Sequence, residues 1–484
     1  MTDLEASTYA EGAEYSYVSG YEESSLDAGP RAAQDEGRAP RQYALIALVL
    51  LLLLLLLLGA FALLQPAPAE RKGDGEGNTQ GPIYIALTTP EKRRPTPTTT
   101  MSTTTRTPST GYGYLVCTIG RGGHTAAMLP LKQELCDLIL FTHVVATNGS
   151  LSSATGNVSY HTFLKAASQY KDDQHTQFGL SHSPHSLSMK LQTKESAASL
   201  ASSFLKPAQK VFAEAGLSAV GVMGLVRKVE EFTHEPRLVA WFKEVASFAA
   251  KLPNVTGTLF LGLKLKDKGA DLSSKPKLAT DVFRVVNKME VKLFVLVTHS
   301  ASETGESSCV SQPVSSWSSK VYENSSSPAL EPMFKFLASG LIHETELEVA
   351  LSSTLALMTF NMKQPVGSTG QFGKRCTRSA AMPFDATCLP NRPSPHEHAS
   401  SITAYSVHGT MLSSFETAAT VDKKMRRFVM DLDDKVYKRV GWAFFDLGFE
   451  VYNKSACQVK DAVAQDFPRL NAGKLVLEEN RNRE

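Results

Sequence analysis

Three histidines follow apolar runs of this chain: His182 and His185 after Gln177-Phe-Gly-Leu-Ser181, and His299 after residues 291–298. Gathered on one side of a fold, three imidazoles could hold zinc and activate water. No carboxylate accompanies them, and histidines in loops along a polar rim would give the same pattern. His396-Glu-His398 reads more simply as exposed loop. Acids are scarce where hydrolysis would need them. Asp446 and Glu450 stand at and beyond the end of the apolar run 440–447, and one carboxylate cannot serve as both members of a hydrolytic pair. Gly120-Arg-Gly-Gly123 is rich in glycine but lacks GxGxxG spacing and the lysine of a phosphate-binding loop. No Gly-x-Ser-x-Gly elbow occurs. The short motifs therefore predict neither a metal nor a cofactor.

The elements that must position these residues alternate regularly. Short β-branched or apolar runs at 114–119, 138–146, 177–181, 217–223, 258–264, 291–298, 347–351 and 440–447 read as strands. Between and after them, segments with helical spacing lie at 126–137, 160–170, 194–215, 235–251, 278–288, 328–339, 417–430 and 459–470, the third ending at a C-cap signal, Gly216. A longer insertion, 354–401, interrupts the rhythm after the seventh strand. Eight strand–helix units over residues 112–470 predict an α/β fold, a closed (β/α)8 TIM barrel, whose site lies at the C-terminal ends of its strands. An open doubly wound sheet normally uses fewer units and a glycine-rich first turn.

Residues 43–64 are uncharged throughout. As a helix they would reach about 33 Å, enough to cross a bilayer. The polar residues before them and the length of the run argue for an uncleaved signal-anchor rather than a cleaved leader. Residues 1–42 hold nine acids against three arginines and few large aliphatics, the composition of a disordered tail. Tyr15-Ser-Tyr-Val18 within it fits a sorting peptide, a pattern common by chance. Residues 65–111 are rich in Thr, Ser and Pro like an O-glycosylated stalk, and their charge run 91–94 reads as linker rather than as a processing site. Residues 471–484 read as a C-terminal tail. Sequons at Asn148, Asn157, Asn254, Asn324 and Asn453, and all six cysteines, follow the apolar run. The expected protein is single-pass, type II, in the plasma membrane, with the barrel outside. The net charge of +2 predicts no nucleic-acid partner.

Between residues 112 and 470 the chain resembles the family-18 glycoside hydrolases, the chitinases and chitinase-like proteins. Cys117 ends a first strand and Cys136-Asp-Leu-Ile-Leu-Phe-Thr-His143 opens a second, as in that family. Phe204-Leu-Lys with Ala215-Gly-Leu217 is similar to the approach to its catalytic strand, and Gly340-Leu-Ile with Leu347-Glu-Val-Ala-Leu351 to the approach to strand seven. Ser414-Phe-Glu-Thr, Val421-Asp-Lys-Lys-Met425 and Gly441-Trp-Ala-Phe-Phe-Asp446 look like its closing helix and eighth strand. Active members carry D-G-x-D-x-D-x-E on strand four, where the glutamate protonates the glycosidic oxygen and the substrate's acetamido group attacks. Aligned on Gly216, the matching positions here read Ser218, Ala219, Gly221, Met223 and Leu225. The S-x-G-G of strand three reads Ser181-His182-Ser183-Pro184, and the M-T-Y-D of strand six reads Val297-Thr298-His299-Ser300. Phe445 stands for the tryptophan beneath the central sugar. Placing the catalytic strand at 259–268 instead would fill the acidic positions with lysines.

The resemblance implies a non-catalytic module that binds a chitin-like, N-acetylglucosamine-containing glycan, or a cell-surface protein, through Ser181, His182, His299, Phe445 and Asp446. Two other outcomes stay open: an active hydrolase with relocated catalytic groups, and an adhesion or receptor scaffold without a ligand. The resemblance also implies a Cys117–Cys136 disulfide. Among the 15 pairings that six cysteines allow, Cys376–Cys388 would close a small loop in the insertion and leave Cys309–Cys457.

Overall fold

Eight apolar runs form the parallel strands of a closed barrel: β1 Leu115–Ile119, β2 Leu138–Thr147, β4 Gln177–His182, β5 Ala219–Arg227, β6 Thr258–Leu265, β7 Leu293–Leu296, β8 Glu348–Thr354 and β14 Val440–Phe445. Closure comes from β1, which pairs with β14 (Cys117 beside Phe444) and with β2 (Cys117 beside Ile139). In the computed structural model the described residues are 113–120, 134–154, 157–171, 175–251, 257–266, 276–300, 309–318, 329–341, 347–367, 372–383, 395–430, 440–450 and 467–481.

Both faces of these strands are buried, so they read as continuous apolar runs. Alternate residues divide into two cores. Val116, Leu140, Ala219, Phe260, Val295, Ala350 and Ala443 fill the barrel interior. Phe141, Phe178, Val222, Phe294 and Trp442 face outward onto the surrounding helices. The longest helix among the described residues, Ala197–Ala215, is capped by the Ser196 hydroxyl, which accepts from the Ser199 N–H at 3.1 Å. It ends at Gly216 with φ 65°, where the glycine adopts the left-handed conformation expected of a C-cap.

The strand and helix rhythm is broadly as read, with departures that include two unread short helices, Pro184–Leu191 and Val229–Thr233. The short strand β3, Ser150–Ser153, folds back antiparallel on β2. The helix expected at 126–137 lies largely outside the described residues, and residues 134–137, which are described, are not helical. The final helix is Pro468–Arg481, so residues 471–481 are not a tail: Leu470, Val476 and Leu477 bury an apolar stripe there. The insertion extends past Ser401. It forms a five-stranded antiparallel sheet of β9 Leu357–Met362, β10 Cys376–Met382, β11 His396–His398, β12 Thr403–His408 and β13 Met411–Phe415, in the order β10-β9-β13-β12-β11. The hairpin of β12 and β13, turning at Gly409 with φ 60°, carries the sheet to Phe415.

Cys117 is bonded to Cys136, as the resemblance implied. The other expected pairs are corrected. Cys376 is bonded to Cys309, 67 residues earlier. Cys376 opens β10 with its side chain buried beside Cys309, and an antiparallel bridge from Val310 to Arg375 holds the two segments in register. Cys388 and Cys457 lie outside the described residues, as do residues 43–64 and three sequons. Asn148 is exposed in the turn between β2 and β3, and Asn157 begins a helix. Among the described residues no helix is long and apolar enough to cross a membrane.

Candidate functional site at the barrel mouth

The inward row of each strand, followed to its C-terminal end, gives the lining of the mouth. From β1 comes Thr118, from β2 Thr142, from β4 Ser181, from β5 Met223, from β6 Lys264, and from β8 Ser352 and Thr354. His299 follows β7, and Phe445 with Asp446 closes the ring at β14.

On β5 the inward positions are Ala219, Gly221 and Met223, none ionisable. A Cβ at Gly221 would stand 1.9 Å from the Phe260 carbonyl oxygen, so that row has no room for a larger residue there. The Met223 N–H donates to the Ser181 hydroxyl at 2.8 Å. Beyond Met223 the pairing with β6 shifts register at Gly224, which has φ 86°. This bulge turns the strand over. Leu225 consequently faces outward and is fully buried in the outer core.

On the opposite wall, Ser352 knits β8 to the end of β7. Its hydroxyl accepts from the Thr298 N–H at 2.9 Å and meets His299 Nδ1 at 2.8 Å. The His299 ring lies 4.4 Å from the Phe445 ring, so the two form an aromatic corner in which Phe445 is partly exposed. Burial and then the nearby Lys264 charge lower the His299 pKa to about 3, keeping the imidazole neutral. Asp446 adopts φ 63°, a conformation aspartate tolerates. Its Oδ2 accepts from the Thr354 hydroxyl at 2.7 Å. Among the described residues no barrel strand carries a carboxylate at its C-terminal end, and Asp446 alone directly follows one.

Of the five expected residues, Ser181, His299 and Phe445 lie on the inward row and Asp446 follows Phe445; Ser181 and His299 are buried, and Phe445 and Asp446 are partly exposed. His182 is not on that row. It occupies the outward parity of β4 and packs 4.7 Å from Phe204 and 6.0 Å from Trp241, with Nδ1 bonded to the Ser183 carbonyl. His185 is exposed on the helix Pro184–Leu191, so the three imidazoles are not brought together. Among the described residues no group of three or more His, Cys, Asp or Glu could hold a metal. His396 and His398 lie on β11. Thr118, Thr142, Lys264, Ser352 and Thr354 escaped the sequence reading, although alternation counted from the inward Val116, Leu140, Phe260 and Ala350 would have found them.

Burial lowers the His182 pKa to about 4. The unfolded chain therefore binds a proton below pH ~6.5 that the native state refuses until pH 4, and stability falls as pH drops through that interval. Acidification from pH 7 to 5 should cost roughly 2 kcal/mol through this residue. Glu450, whose pKa burial raises, acts with the opposite sign. Comparing thermal melts of the native protein and His182→Phe isolates the effect: the variant should have the shallower pH dependence.

No family model matches this chain, and no curated protein matches it in sequence. Solved structures do match. Human YKL-39, described as a pseudo-chitinase with retained chitooligosaccharide binding, is 12% identical with a TM-score of 0.54, covering 76% of this chain and 100% of its own. An immunomodulatory active chitinase from Trichuris suis gives 10% and 0.53, covering 75% of this chain and 100% of its own. A family 18 N-acetylglucosaminidase from Paenibacillus barengoltzii gives 10% and 0.51, covering 75% and 99%. The chain shares the fold of the family 18 chitinases and chitinase-like proteins. Active and inactive proteins share this chitinase fold, so activity must be argued from the mouth.

Proposed function

We propose that this chain is a membrane-anchored extracellular chitinase-like protein that binds an N-acetylglucosamine-containing glycan at the barrel mouth without hydrolysing it. The inward row of β5 carries this reading. Ala219, Gly221 and Met223 supply no proton donor, and Leu225 at the glutamate position faces the outer core. Binding has a basis in the partly exposed Phe445 ring, which offers an apolar face for a sugar, and in the partly exposed Asp446 carboxylate that follows it. YKL-39, which shares this fold, is described as a pseudo-chitinase that retains chitooligosaccharide binding.

Titration calorimetry of the full-length protein with a chito-oligosaccharide tests the reading. Saturable binding is expected, and Phe445→Ala should weaken it about tenfold or more, the scale of losing one stacking contact. Absence of binding would favour a scaffold without a glycan ligand. A relocated hydrolase would instead need two carboxylates roughly 5–10 Å apart, and Asp446 has no such companion among the described strand ends.

The anchor and topology rest on the uncharged run 43–64, the sequons beyond it and the two disulfides, which suit an oxidising compartment. Protection of the barrel from external protease on intact cells would contradict that orientation.

A further inference from the structure

The inserted sheet has an edge of one charge sign. Arg375 and Arg378 flank the start of β10, Lys374 precedes them, and Lys363 follows the neighbouring β9. All four side chains are exposed, and among the described residues none has an ion-pair partner. No acid occurs in the described parts of residues 309–318, 357–367 or 372–383. Glu397 lies on β11 at the opposite edge, where Lys423 meets it at 2.6 Å.

The cations are also held in place. Cys376 pairs with Met362 and both are buried, whereas Arg378 pairs with the exposed Asn361 after a bulge, so Arg378 emerges on the outer side with Arg375 and Lys363. The Cys309–Cys376 disulfide and the Val310–Arg375 bridge tie down the start of the strand. The Ser311 N–H donates to the Lys374 carbonyl at 2.9 Å. Little backbone ordering would remain to be lost on binding.

We propose that this edge binds a sulfated polysaccharide. Two guanidinium forks can each engage a sulfate through paired hydrogen bonds, and a chain with regularly repeated anions matches cations set along an extended strand. The two disulfides belong to an oxidising compartment, where the available polyanion of this form is a glycan rather than a nucleic acid. Exposed charge also blunts a sheet edge against pairing with another, but that role predicts no ligand. The proposal concerns a surface outside the barrel mouth and does not depend on binding there.

The test is retention of full-length protein on immobilised heparin across a salt series, with poly-glutamate as the competing polyanion. Four contacts predict that log affinity falls against log salt with a slope of roughly −3. Arg375→Glu combined with Arg378→Glu should reduce affinity at least tenfold and flatten the slope by about half, while the thermal midpoint stays in place because neither side chain has an ion-pair partner among the described residues. Unchanged affinity or slope in that variant overturns the proposal. So does equal retention on poly-glutamate, which would mark a generic polyanion surface, or displacement by neutral chito-oligosaccharide, which would place binding at the mouth.

Discussion

Leu225→Glu is expected to yield an unstable protein with no hydrolase activity. The substitution restores a glutamate at the position that the family resemblance assigns to the proton donor, yet the bulge at Gly224 directs that side chain into the outer core. Leu225 is fully buried there and belongs to the outer hydrophobic core. A carboxyl group in that setting is costly to bury, at about 3–5 kcal/mol, and should lower the melting midpoint by roughly 5 °C. Leu225→Met, which conserves volume, should cost less than about 1.5 kcal/mol. Differential scanning fluorimetry beside a chito-oligosaccharide turnover assay separates the outcomes. A stable Leu225→Glu protein that gained turnover would show that position 225 reaches the mouth.

Arg469→Met should be comparably damaging, for a different reason. Arg469 is buried where the final helix Pro468–Arg481 meets the barrel. Its N–H and its Nε both donate to the carboxylate of Glu450. Its guanidinium also donates to the Leu355 carbonyl at 2.9 Å and the Phe449 carbonyl at 3.2 Å, joining the exits of β8 and β14. Removing the cation leaves a buried carboxylate with main-chain donors only and takes the guanidinium donor from two carbonyls, at a cost of about 3–5 kcal/mol. Glu450→Gln added to Arg469→Met removes the stranded charge and should recover part of the loss. A double-mutant cycle from urea titrations measures this coupling, and additive losses would show the pair to be independent. Lys424 makes a second clasp, donating to Glu416, to the Ser315 carbonyl at 2.7 Å and to the Thr403 hydroxyl at 3.1 Å, and so pins the inserted sheet to the helix Ala418–Met430.

The barrel was legible because strands buried on both faces write themselves as apolar runs, such as 138–146 and 258–264. Helix ends were legible where a cap is local, as at Gly216. The mouth was only partly legible. Ser181, His299, Phe445 and Asp446 are placed by parity and by strand ends, which a sequence displays. His182 was misplaced because one residue of register moves a side chain to the other face of a strand, and Leu225 shows the same effect after a glycine bulge. The Cys309–Cys376 pair spans a sheet whose strands are short and polar enough to look like loop, so spacing within the insertion suggested the wrong partner. Arg469 and Lys424 look like ordinary surface cations in sequence, since only the tertiary fold brings Glu450 and Glu416 to them.

On the proposed function, the barrel mouth binds sugar without a proton donor for cleavage. The most direct measurement follows release of fluorophore from a chito-oligosaccharide conjugate by full-length protein that has been shown to bind the same sugar. Binding without release above a no-protein blank is the predicted result. Release that scales with protein concentration, and that Asp446→Asn abolishes, would contradict the claim and assign catalysis to the carboxylate at the end of β14.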